Sequence, residues 1–157
     1  MTYYLIAKKP SLQVSLSHEG ILFSSALSLS SSGFSLLSDD PALSPTLIEE
    51  IKDWLHMYRE KKEPLIDLSL DYSLFPPFTH SVLSHLKTIP FGETTTYGSI
   101  ARALNKHKGA RAVGNACGSN PFPLFIPCHR VLAAGNTLGG FSCGIEIKKE
   151  LLAFELN

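Results

Sequence analysis

"TYGSIARALNKHKGARAVGNACG", from Thr96 to Gly118, decides how the second half of the chain folds. Thr96 suits a helix N-cap, because its hydroxyl can accept from one of the first free backbone N–H groups. Tyr97, Ile100, Ala101 and Leu104 then fall on one side at helical spacing. "NKHKG", Asn105 to Gly109, reads as a short polar turn. Ala110, Val113, Ala116 and Cys117 resume the helical spacing. Two short helices about a turn of a few residues form a helix-turn-helix pattern. The second helix is built from small residues and can lie close to another backbone, whether helix or nucleic acid. Arg111 is its one charged side chain, and Lys106 and Lys108 stand in the turn before it. Against DNA, the lysines would hold phosphates and Arg111 would enter a groove or the base stack. Against a neighbouring helix, the same surface would leave Arg111 in solvent. Both readings stay open on this stretch alone.

Working outward, Phe78, Val82, Leu83, Leu86 and Ile89 form the apolar face of a preceding helix, which "PFGE" ends. A final helix starts near Glu146 and carries Ile147, Leu151 and Phe154. "SLFPPF", Ser73 to Phe78, marks a boundary, because its proline pair blocks regular structure. Before it, "YYLIA", "LQVSL", "GILFSSAL" and "GFSLL" read as short strands joined by turns, with the serine-rich "LSLSSSG" as strand or loop. Ser44 and Pro45 open a helix whose face is Leu47, Ile48, Ile51, Trp54, Leu55 and Tyr58. "LIDLSL" reads as one more strand. The expected architecture is an α/β N-terminal domain (residues 1–72, a small antiparallel sheet plus helix). A mainly α C-terminal domain (residues 73–157) with a helix-turn-helix follows it.

The 157 residues, 44% hydrophobic, suffice for one ordinary core or a small domain packed on another. No apolar run reaches the roughly eighteen residues of a transmembrane helix, and the first residues lack a secretory pattern. The three cysteines all lie in the last third; a reducing compartment fits better than a disulfide scaffold. Net charge is zero, yet its distribution is uneven. Residues 1–79 carry six basic and ten acidic side chains, and residues 80–157 carry eight and four. The second half can therefore face a polyanion.

"NPFPLFIPCHRVLAAG", Asn120 to Gly135, sets Cys128, His129 and Arg130 side by side. Three readings compete for Cys128. It could be a buried thiol, packed as a small hydrophobe. It could join Cys117, His129 and Cys143 around zinc, but no C-x-x-C or H-x-x-x-H pair supplies chelate spacing. It could be a nucleophile, activated by a nearby base or positive charge. Adjacent side chains seldom point at each other, so His129 would act through a water or a tight turn. Glu155 is the carboxylate best placed to orient that imidazole, provided the last helix packs on the cysteine segment.

"PFGETTTYGSIARAL", "GARAVGNACGSNPFPLFIPCHRV" and "FSCGIEIKKELLAFE" together resemble the O6-alkylguanine-DNA alkyltransferases, or methylated-DNA–protein-cysteine methyltransferases. The resemblance covers Phe78 to Glu155, half the chain. It implies single-turnover repair, in which Cys128 takes the alkyl group from O6 of guanine, with O4 of thymine as a second candidate donor. It gives catalytic parts also to His129 as base through a water, Glu155 as its orienter and Tyr97 as hydrogen-bond donor to the guanine ring. Arg111, Tyr97, Lys106, Lys108 and Arg130 would contact DNA, with Arg111 filling the gap left by a flipped nucleotide. Asn120, Pro123, Val131, Phe141 and Ser142 would line or brace the base pocket. The implied partner is double-stranded DNA entered from the minor groove. No cofactor, no membrane, a monomer, and a place in the cytoplasm, nucleoid or nucleus are expected; some family members hold structural zinc with N-terminal cysteines, but no cysteine precedes Cys117 here, so no metal is expected. Cys143 departs from the family pattern; its side chain either faces the pocket rim, narrowing it against bulky groups such as benzyl, or simply packs. Two other functions fit the same residues: a helix-turn-helix regulator or lesion sensor with Cys128 as alkylation or redox switch, and a cysteine hydrolase.

Overall fold

The computed structural model describes residues 2–6, 11–18, 22–30, 36–37, 45–68, 70 and 75–156. The chain divides into two compact units, Met1–Asp71 and Tyr72–Asn157. The expected boundary at 72/73 and the Ser44 cap lie outside the described residues.

In the first unit, β1 (Thr2–Ile6), β2 (Ser11–His18), β3 (Leu22–Ser30) and β4 (Leu36–Leu37) form one antiparallel sheet in the order β3-β2-β1-β4. The register pairs Leu5 with Leu12 and Leu12 with Leu29, and shifts between Ser17 and His18. The first half of the serine-rich stretch closes β3 as strand. Helix α1 (Pro45–Arg59) follows. Pro45 fits its first position because the missing N–H would be unbonded there. Leu47, Ile51, Trp54, Leu55 and Tyr58 are buried, as their spacing predicts, and the Trp54 and Tyr58 rings stack at 5.4 Å. Each such side chain contributes about 1.5–3 kcal/mol on burial. Of the strand expected from "LIDLSL", residues 65–68 are irregular and Leu70 makes a single β-bridge. Residues 62–68 are irregular after Lys61 turns the chain with a φ of 55°, and Leu65 is 83% exposed. Pro64 lacks the N–H that a ladder needs.

The second unit is mainly helical. It contains α2 (Pro77–Leu86), α3 (Tyr97–Ala103), α4 (Ala110–Gly118) and α5 (Ile145–Leu156). The short strands β5 (Thr95–Thr96) and β6 (Val131–Leu132) form a parallel pair, with Thr95 opposite Val131. Thr96 caps α3, its hydroxyl accepting from Ser99 N–H at 3.1 Å. The turn into α4 is tight. Asn105 has a φ of 57°, and Gly109 N–H donates to Lys106 O at 2.6 Å. A Cβ on Gly109 would lie 2.8 Å from that same oxygen, so only glycine fits. Val82, Leu83, Leu86, Ile100, Ala101, Val113, Ala116, Phe122 and Ile126 make the core. Among the described residues, no helix is long and apolar enough to cross a membrane.

Candidate active site

The segment between α4 and β6 is built around one amide. Asn120 Nδ2 donates to Ile126 O at 2.9 Å and to Cys128 Sγ at 3.1 Å, while its Oδ1 accepts from Phe122 N–H at 3.0 Å. These bonds close the loop on itself and hold the thiol. Leu124 takes a φ of 78°, and Pro123 bridges to Ile126. Cys128, His129 and Arg130 then form a single 3-10 turn, all three buried.

That tight turn sends the three side chains different ways. Cys128 lines a cavity of about 380 Å³ together with Tyr97, Ala110, Arg111, Gly114, Asn115, Cys117, Gly118, Gly140, Phe141 and Ser142. His129 points back toward α5, its Nε2 lying 2.7 Å from Glu155 Oε1. Arg130 grips the same carboxylate, Nε donating to Oε2 at 2.7 Å and Nη2 to Oε1 at 3.1 Å. Its Nη1 donates to Ile89 O at 2.6 Å, and its guanidinium lies 5.6 Å from the Phe91 ring centre. Arg130 was expected on DNA. It is instead 3% exposed and committed to balancing Glu155. A buried carboxylate without such a cation would be costly.

The electrostatics follow from burial. Burial opposes ionisation of Glu155, but the bonds and charges of His129 and Arg130 overcome it and hold the carboxyl below its ordinary range. Burial pushes His129 down, and Arg130 adds to this, against the pull of Glu155. The pair is therefore neutral imidazole beside carboxylate. The carboxylate can only accept, so Nε2 carries the proton and Nδ1 keeps a bare lone pair. Nδ1 is buried with no hydrogen-bond partner among the described residues. Burial pushes the Cys128 thiol up to about 11, against the bond from Asn120. Cys128 thus rests as thiol at neutral pH, and a base must take its proton during reaction. Tyr97 is also raised, chiefly by burial, and keeps its proton to donate. Its hydroxyl makes only a long bond of 3.5 Å to Gly140 O.

Of the other expected residues, Phe141 and Ser142 line the cavity, and the Phe141 ring meets His129 edge-on at 6.5 Å. Asn120 braces the thiol from behind. Pro123 and Val131 do not line the cavity; both are buried, Val131 within the β5–β6 pair. Lys106 and Lys108 are exposed in the α3–α4 turn, away from the cavity walls. Cys143 is not among the lining residues, so the narrowing is not seen. Among the described residues, no three His, Cys, Asp or Glu side chains are grouped to hold a metal ion.

Sequence reading missed three residues. Lys148 is fully buried on α5, its Nζ donating to Val131 O at 2.6 Å, to Leu138 O, and to Gly140 O at 3.3 Å. It ties the Gly140–Ser142 wall to β6. A lysine beside the apolar position Ile147 gives no hint of burial. Cys117 stands in the cavity wall, its thiol raised to about 12 mainly by burial. Asn115 also lines the cavity, and an asparagine among alanines and glycines gives no periodic sign of it.

Cys128 thus lies on a cavity wall, and the next residue in the chain, His129, pairs with a buried carboxylate. The family described as 6-O-methylguanine DNA methyltransferase, DNA binding domain, matches residues 77–157. A methylated-DNA–protein-cysteine methyltransferase of Methanosarcina mazei is 33% identical over 155 residues, 99% of this chain and 98% of its own. One of Methanocaldococcus vulcanius is 54% identical over 91 residues, 58% of this chain and 53% of that protein. Against this relative and several others the chain spans only about half of their length. Among solved structures, Mycobacterium tuberculosis OGT in complex with DNA superimposes with a TM-score of 0.72 at 31% identity, over 98% of this chain and 91% of that one. The O6-methylguanine-DNA methyltransferase of Pyrococcus kodakaraensis gives 0.71 at 26% identity, over 98% and 97%. The chain belongs to the O6-methylguanine-DNA methyltransferase family.

Proposed function

We propose that this protein repairs DNA by moving one alkyl group, methyl in the first instance, from O6 of guanine to Cys128. The observation that carries the proposal is the thiol itself. It faces a cavity walled by a helix of small residues, and the next residue in the chain is a buried histidine whose Nδ1 has no hydrogen-bond partner among the described residues. Double-stranded DNA is the partner; the Mycobacterium tuberculosis relative was solved with DNA. Residues 97–118 serve as a helix-turn-helix that lays α4 in the minor groove, within a domain of residues 73–157. Residues 1–72 form a separate α/β domain. Lys106 and Lys108 hold phosphates, and Arg111 takes the space of the flipped nucleotide.

Chemically, the thiol proton passes through a water to His129 Nδ1. Sγ attacks the alkyl carbon, the S–C bond forms as C–O6 breaks, and the electron pair passes into the guanine ring. Tyr97 passes its proton to that ring as its charge grows, and the imidazolium returns the thiol proton through water to the tyrosine, so guanine leaves neutral. Glu155 steadies the imidazolium that results. The product is a thioether, which water does not cleave at neutral pH, so each molecule acts once. Reaction on O4-alkylated thymine follows the same course in the same cavity.

A lesion sensor with Cys128 as a switch is not favoured, since the relatives above are named for methyl transfer. The test is Cys128→Ser. The proposal expects label from O6-methylguanine duplex to stop reaching the protein while DNA affinity stays. Transfer that persists in Cys128→Ser would refute it.

A further inference from the structure

Asn115 has no task in the chemistry above. It lies four residues beyond Arg111 on α4, is exposed, and lines the cavity that holds Cys128. Its backbone carbonyl accepts from Ser119 N–H, while its side-chain amide has no hydrogen bond among the described residues. Beside the Cys117 thiol, Arg111 and Asn115 are the two hydrogen-bonding side chains that α4 gives this cavity. The residues between and around them are Ala110, Gly114 and Gly118, which let a nucleic-acid edge come close. Residues at this spacing share a helix face.

We propose that Asn115 reads the base pair beside the flipped nucleotide and favours G·C there. This rests on the minor-groove docking of α4 in the proposed function. Four residues of helix cover about 6 Å, less than two base steps of roughly 3.4 Å. With Arg111 in the vacated stack, Asn115 meets a neighbouring pair whichever way α4 runs along the groove. In the minor groove an A·T pair shows acceptors alone, whereas G·C adds the guanine amino donor. An amide can donate to either pair. Its oxygen finds a donor only on G·C, and beside A·T that oxygen faces other acceptors. The discrimination is therefore one hydrogen bond, roughly a fivefold effect.

The test uses the full chain and two O6-methylguanine duplexes that differ only in their flanking pairs, G·C or A·T. Single-turnover rates are measured at limiting protein. The ratio of the G·C to the A·T rate falls roughly fivefold on Asn115→Ala, one hydrogen bond's worth. In Arg111→Ala both rates fall and the ratio is kept. A ratio unchanged by Asn115→Ala, in a variant whose thermal midpoint matches the parent, overturns the inference. A Asn115→Gln variant that fails to restore any part of the ratio also counts against it. Should the unaltered chain accept methyl from neither duplex, the proposed function itself fails, a different result.

Discussion

His129 Nε2 lies 2.7 Å from Glu155 Oε1, with both side chains buried and Arg130 closing the other side of the carboxylate. The pair fixes which imidazole nitrogen is bare, and so where a proton from Cys128 can go. The carboxylate also neutralises the buried Arg130. Glu155→Gln is expected to disturb both, losing about 3–5 kcal/mol of stability because a buried cation is left unpaired. Thermal or urea unfolding checks the loss. His129→Gln should fold nearly as well and slow transfer by about two to four orders of magnitude. Equal rates would remove His129 from the chemistry.

Stability should fall at both ends of the pH scale. Glu155, held low, and His129, lowered by burial, both contribute stability that is present above their ordinary values near 4.5 and 6.5 and lost as pH falls through their depressed folded values. The thiols Cys128 and Cys117 are raised from 9.0 to about 11 and about 12. Their contribution is complete below 9 and is lost as pH rises through those folded values. Thermal midpoints against pH should therefore form a plateau between about 7 and 9. Cys117→Ala should lessen the alkaline fall, and an unchanged alkaline limb would contradict this.

Gly139 lets the chain pass close to the Tyr97 ring. Its φ is 65°, and a Cβ there would sit 3.2 Å from the Tyr97 ring and 3.3 Å from Ala133 Cβ. Gly139→Ala should cost about 1–3 kcal/mol from backbone strain and crowding, and should slow transfer by shifting the tyrosine. The readout is thermal midpoint together with rate; a loss of stability with an unchanged rate would mean that the ring's position is not critical.

Lys148→Met would remove the cation that three carbonyls share. Unmet buried acceptors cost roughly 1–3 kcal/mol each, so a fall in thermal midpoint is expected. The Gly140–Ser142 wall should also become more open to hydrogen exchange. No change in exchange there would show that the wall holds without Lys148.

Arg111→Ala should slow transfer from duplex DNA far more than transfer from free O6-alkylguanine, because only the duplex needs its stack refilled. Rates measured side by side check this, and equal slowing would count against the stacking role. DNA affinity should fall with salt and show only modest dependence on sequence.

Much of the fold is legible in the sequence because period and punctuation agree. The α1 face, the Thr96 cap and the small-residue α4 follow from spacing alone. The "LIDLSL" segment reads falsely as strand, since alternation does not register the proline and the left-handed turn before it. At the site, Cys128, His129, Glu155, Tyr97 and Asn120 meet as the motifs suggest. Arg130 is misjudged, and Lys148 is passed over, for one reason. A basic side chain looks like surface or phosphate ligand until the packing shows a buried carboxylate or a ring of carbonyls for it to bind. Asn115 escapes attention because an asparagine among alanines and glycines carries no periodic signal.

The most direct measurement is intact mass after incubation with duplex DNA carrying O6-methylguanine. The expected result is a gain of one methyl group per molecule, located on Cys128, with no further turnover on added substrate. An unchanged mass despite DNA binding, or methyl release with repeated turnover, would contradict it.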